Sequence, residues 1–300
     1  MKFVALAAIF TALATAARAE EIVFFEASKA GYQAWSWNSA RVSDKTEGMV
    51  ITESSPTNTA GDAYVSTQFP YIPSGHVVFE VADVAKGDYT LQVLGFRKGT
   101  HFMTVTVINH ATSPGRHDFH LRTLNMPDDT ETILFKVWVA GADAASVVVK
   151  ELRYANEIDA DKVVLDDRFQ DAQVWRVDTN QVVFAIAAGK PGKVTVNEGA
   201  AFGSVAYDAA FSRDQQEEIL LQIPETDKGC VATLQLDVLD EGGAFISAVD
   251  VITDVAVGHH VARLDAIKWP EGASSFAPKI WVNGKPGSGV SFDRLLIYKQ

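Results

Sequence analysis

Apolar side chains recur along much of this chain at every second position, not at every third or fourth. Residues 77–81, 89–94, 102–108 and 133–139 follow this alternation and are rich in Val, Ile, Thr and aromatic residues. That period and composition belong to strands with one buried face. Clusters at 86–88, 98–99, 113–115 and 140–143 hold Gly, Asp, Ser or Pro and predict turns between the strands. The same scheme returns at 219–223, 232–239, 244–252 and 276–282. No stretch reads as an amphipathic helix of more than two turns.

The return is in register. Sliding the chain on itself by 143 positions lays Thr90-Leu91-Gln92 on Thr233-Leu234-Gln235, His117 on His260, and Pro127 on Pro270. The same shift lays Lys136, Trp138 and Gly141 on Lys279, Trp281 and Gly284. Nearer the start a shift of 140 superposes Gln33 and Trp35 on Gln173 and Trp175. A match carrying Trp, His, Pro and Gly over such a length predicts an internal duplication. About eight strands per copy without helical crossovers predict an all-β fold of two tandem antiparallel β-sandwich (jelly-roll) domains. The expected domains are 20–156 and 163–300, joined by the acidic, apolar-poor linker 157–162.

Residues 1–19 read differently. Lys2, an apolar stretch and Ala17-Arg18-Ala19 form the pattern of a cleaved signal peptide and predict a periplasmic or extracellular (secreted) product. Its loss would take the formal net charge from −12 to −14, because Lys2 and Arg18 leave with it. That acidic balance and the lack of a basic run argue against a nucleic-acid partner. No other apolar stretch approaches the length of a membrane-spanning helix, so no membrane insertion is expected. Cys230 is the sole cysteine, which excludes an intramolecular disulfide and a cysteine-based zinc site.

Alternation also sorts side chains by face. In 133–139 the odd positions are apolar, which turns Lys136 and Trp138 away from the core; in 276–282 Lys279 and Trp281 turn the same way. A broad aromatic beside a lysine, repeated in both copies, is what stacking on a sugar ring requires, and Gln92 and Gln235 on a neighbouring strand would reach hydroxyls. The bland alternative is that both tryptophans pack under loops or between the copies. Trp35 and Trp175 are equivalent and expected in the cores. Trp37 aligns with Val177, has no duty shared by both copies, and is a further ligand-binding candidate.

The opening segments Val23-Phe24-Phe25-Glu26-Ala27 and Val163-Val164-Leu165-Asp166-Asp167, the tryptophan that follows each, and the closing segment 290–297 resemble galactose-binding-like jelly rolls. That superfamily includes non-catalytic carbohydrate-binding modules of secreted bacterial enzymes. The resemblance implies a polysaccharide or glycan partner. It also implies a structural Ca²⁺ in the second copy, held by Asp166 or Asp167 with Asp293, whereas a Glu26–Lys150 ion pair would replace it in the first.

Catalytic signatures are absent: there is no His-Glu-x-x-His, Gly-x-Ser-x-Gly, phosphate loop or dinucleotide fingerprint. His117 and His260, being equivalent, point to a shared structural hydrogen bond. A set such as Arg97, His101, Asn109 and Tyr64 is selected by no spacing. The function expected is non-catalytic carbohydrate binding. The alternatives are a cell-surface structural or assembly protein that self-associates, and a jelly-roll polysaccharide-degrading enzyme.

Overall fold

The computed structural model describes residues 20–54, 59–127, 129–187, 189–215 and 218–299; the predicted signal peptide lies outside them. The fold is all-β and antiparallel, a β-sandwich architecture; the single α-helix among the described residues is the four-residue Ala27–Ala30. Among the described residues, strand pairs join partners within 20–158 or within 163–298 and none crosses between them. Each of these units encloses its own apolar core, with Trp35 in the first and Trp175 in the second.

The first unit is organised by two long strands, His76–Arg97 and Thr132–Ile158, which pair from Thr132↔Phe96 to Ala155↔His76. Two predicted turns, at 86–88 and 140–143, fall inside these strands and do not reverse the chain. Gly87 and Gly141 are partners across the ladder. There the backbones come so close that a Cβ on Gly87 would lie 2.1 Å from the Ala140 carbonyl oxygen. With Lys86 and Ala144 at φ 59° and 63°, the pair of strands turns a corner together and passes from one layer of the sandwich to the other.

In the second unit the same path is cut. Glu218–Ile223 and Val231–Leu239 replace one long strand; Ser275–Asn283, Gly289–Phe292 and Arg294–Tyr298 replace the other. Pro224 and Pro286 stand in the gaps. Proline has no N–H to give to a ladder and so interrupts it.

Both units nevertheless build one sheet with the same strand order. In the first it runs Trp35–Asn38, Ala60–Val65, Thr132–Ile158, His76–Arg97, Thr100–Ala111. In the second it runs Trp175–Val177, Phe202–Tyr207, Ser275–Asn283, Val231–Leu239, Phe245–Val255.

The units meet through a third apolar cluster of Ile22, Ile158, Leu220, Leu296 and Tyr298. Buried beside it, Asn156 Nδ2 donates to the Tyr298 hydroxyl at 3.2 Å, and that hydroxyl donates to Glu218. The segment expected to be a linker is ordered here: Ile158 is buried, and Ala160–Lys162 forms a 3₁₀ turn capped by Asp159, whose carboxylate accepts from the Asp161 N–H.

Candidate ligand-binding faces

On the solvent side of the shared sheet, each unit carries the same four side chains. In the first, Trp138 lies opposite Thr90, and Lys136 opposite Gln92. The Trp138 indole N–H donates to Gln92 Oε1 at 2.8 Å, and Lys136 Nζ sits 4.1 Å from the centre of the Trp138 ring system. In the second, Trp281 lies opposite Thr233 and Lys279 opposite Gln235. Trp281 donates to Gln235 Oε1 at 3.1 Å, and Lys279 Nζ lies 4.5 Å from the ring centre. Thr90 and Thr233 each sit at a β-bulge and accept a backbone N–H at 3.1 Å, from His110 and Asp254, both at φ 50°.

These arrangements hold each indole by its edge and by one face, leaving it half-buried. The glutamine carbonyls, expected to serve a ligand, are engaged by the indoles because the register puts them beside the ring N–H. Their amide groups donate to Thr106 Oγ1 at 3.3 Å and Asp250 Oδ1 at 2.7 Å. The units also differ. Opposite Trp138 stands Asp62, whose carboxylate pairs with Lys136 at 3.1 Å; opposite Trp281 stands Ser204.

Trp37 is 43% exposed but belongs to the other face. It is partnered with Ala63, which is partnered in turn with the core residue Val137, so it lies at the rim of the sandwich and not beside Trp138.

The carboxylates expected to hold calcium do not converge. Asp166 and Asp167 are neighbours on the strand Val163–Asp167 and point to opposite faces. Asp166 is held by the buried Arg294 in a two-pronged pair, Nε and Nη2 at 2.7 and 2.9 Å, and by Arg168 at 3.1 Å. Asp167 accepts the Phe169 N–H at 2.5 Å and the Trp175 indole N–H at 3.0 Å. Burial raises its carboxyl above the ordinary range, against those two hydrogen bonds. Asp293 lies near His259. Among the described residues no three His, Cys, Asp or Glu side chains gather as metal ligands, so this donor set does not fit a calcium ion. The expected Glu26–Lys150 pair does not form either: Lys150 pairs with Glu80 and Glu26 with Lys29, each at 2.7 Å.

His117 and His260 occupy matching positions but make different bonds, His117 Nε2 with the Tyr89 hydroxyl at 3.3 Å and His260 Nε2 with the Ala256 carbonyl at 2.8 Å. Arg97 pairs with Asp129, and His101 with Thr104. Tyr64 stands beside Lys136 on the outer face.

A cleft of about 830 Å³ between the units was not foreseen from the sequence. Phe24 and Tyr71 line it from the first unit, and Val257, His259 and Lys268 from the second. Phe24 and His259 meet edge to face, ring centres 5.4 Å apart. Burial lowers the pKa of both His259 and His260.

No protein-family model matches this chain, and no curated protein matches its sequence. Solved structures do resemble it. The CBM22-1–CBM22-2 tandem domain of Xyn10C from Paenibacillus barcinonensis is 11% identical over 96% of this chain and 100% of its own, with a TM-score of 0.33. CBM28, a carbohydrate-binding module specific for non-crystalline cellulose, is 14% identical over 41% of this chain and 88% of its own, at a TM-score of 0.25. Allantoicase from Saccharomyces cerevisiae is 8% identical over 87% and 81%, at 0.23. Likenesses this remote leave function to be read from the side chains of this chain.

Proposed function

We propose that this protein is a secreted, non-catalytic carbohydrate-binding protein that arose by internal duplication and engages a polysaccharide through Trp138 and Trp281. The observation that carries the reading is the repeated outer-face cluster of Trp, Lys, Gln and Thr, built by the same register in two independent units. A lysine and a glutamine that fix an indole before any ligand arrives lower the entropy cost of stacking a sugar on it. Two such faces on one chain add by effective concentration when both reach one polymer. The formal charge of −12 disfavours nucleic acid as the partner. Export rests on the pattern of residues 1–19, and the galactose-binding-like resemblance points the same way as the platforms.

The test is affinity electrophoresis of the chain lacking residues 1–19 on a panel of neutral and acidic polysaccharides. Retardation is expected on at least one glycan. Trp138→Ala and Trp281→Ala should each weaken it about fivefold, the equivalent of roughly 1 kcal/mol of aromatic contact. A second reading, self-association at a cell surface, is favoured by Phe202 and Phe245, 49% and 62% exposed on the second unit. Absence of retardation together with concentration-dependent size in light scattering would establish that reading instead.

A further inference from the structure

The two outer faces share their tryptophan and lysine but differ in what surrounds them. In the first unit the row across the sheet reads Ser36, Tyr64, Lys136; in the second it reads Arg176, Ala206, Lys279. Two residues along the strand, on the same face, Asp62 of the first unit is replaced by Ser204, and the exposed Phe202 stands with its ring centre 5.8 Å from that of Trp281.

The exchanges around Arg176, Ala206 and Ser204 act in one direction, against which the second unit carries Asp237 and Asp250 where the first has Leu94 and Thr106. In the first unit the Asp62 carboxylate, 5% exposed, neutralises Lys136, and Asn38 Nδ2 adds a hydrogen bond to it at 3.4 Å. Tyr64 stands between Ser36 and Lys136 in that row. In the second unit Ser204 offers no charge, and no carboxylate among the described residues lies within ion-pair distance of Lys279. Ala206 leaves the middle of the row low. Successive strands are about 4.8 Å apart, so Arg176 and Lys279 flank that low point across about 10 Å. The result is a shallow depression with cations on two sides and Trp281 and Phe202 along a third.

We infer that this depression is a subsite for a uronic acid residue, its carboxylate between Lys279 and Arg176 and its pyranose ring against Trp281, within a largely neutral polysaccharide. The inference rests on the carbohydrate reading above and assigns it a ligand class. Arg176 is paired with Asp208 at 3.1 Å, but both side chains are more than 60% exposed, at 66% and 61%, and such a pair is weak and open to exchange. Asp250 lies beyond Gln235 on the next strand, accepting its amide. A polymer charged at every sugar would be repelled by the acidic chain as a whole, whereas an occasional uronate would not.

The experiment compares the whole protein on 4-O-methylglucuronoxylan and on the same polymer after reduction of its carboxyl groups. The parent polymer should bind about three- to fivefold tighter at low salt, the scale of a surface ion pair, and added salt should erase the difference. Lys279→Gln and Ser204→Asp, which rebuilds the neutralised arrangement of the first unit, should each abolish the preference. Lys136→Gln should keep the ratio between the two polymers. Equal binding of both polymers, or a preference that survives Lys279→Gln, overturns the uronate subsite while leaving carbohydrate binding intact. Failure to bind these polymers and every neutral glycan of the panel overturns both.

Discussion

Asp167 ends the opening strand of the second unit and Ala27, its match in the first, begins the short helix just after the strand Glu20–Glu26; the two core tryptophans differ accordingly. The Trp175 indole N–H finds the Asp167 carboxylate, whereas Trp35 Nε1, buried in the first core, has no hydrogen-bond partner among the described residues. Asp167 is therefore a core acceptor and not a metal ligand. Asp167→Ala would strand the Trp175 and Phe169 N–H groups in an apolar setting and should cost about 1–3 kcal/mol in urea unfolding. The thermal midpoint of the unaltered protein should be the same in calcium as in chelator. The outward tryptophans and lysines were legible in the sequence, because alternation alone assigns their face. What alternation does not carry is the partner of each polar atom, which is why Gln92 and Gln235 read as free for ligand while their carbonyls in fact anchor indoles.

Strand period and composition located the principal strands, yet two glycine-centred turns became corners within continuous strands. A turn signal reports only that the backbone departs from regular extension. Whether the chain reverses or bends depends on what faces it, and at Gly87 the facing residue is a second glycine, Gly141. Gly87→Ala would place a methyl group 2.1 Å from the Ala140 oxygen and 2.8 Å from the Ala145 Cβ. It should destabilise the first unit by about 3 kcal/mol, seen as a lower urea midpoint. Gly99→Ala is the control: at φ 71° with nothing within 4 Å of its Cβ, it should cost only about 1 kcal/mol. Pro224 and Pro286 explain why the second unit, with the same strand order, breaks where the first bends.

At the scale of the whole molecule, two half-buried histidines line the cleft between the units and predict an acid dependence of stability. Burial lowers the His259 pKa first, with the neighbouring His260 adding to it and Asp293 opposing, and burial lowers His260 too. Both rings are thus held neutral in the folded state. Their stabilising contribution is complete above the unfolded value of about 6.5 and is lost as pH falls through the depressed folded values, since the unfolded chain takes up protons first. The urea midpoint should therefore fall between pH 7.5 and 5.5. His259→Phe, which keeps a ring against Phe24, should reduce that dependence and leave the part that His260 carries.

The sequence alone determined the all-β class, the strand period, the correspondence between Trp138 and Trp281, and the side of the sheet on which both stand. All of these follow from local alternation and from self-similarity, which are read along the chain and need no knowledge of packing. Tertiary structure alone decided which carboxylate meets which cation, as Asp166 with Arg294, 128 positions away, shows. It alone placed Arg176, Ala206 and Lys279 in one row, and it alone opened the cleft where Phe24 meets His259. Those juxtapositions depend on register between distant strands and on the docking of one unit against the other, and a linear pattern encodes neither in any single stretch.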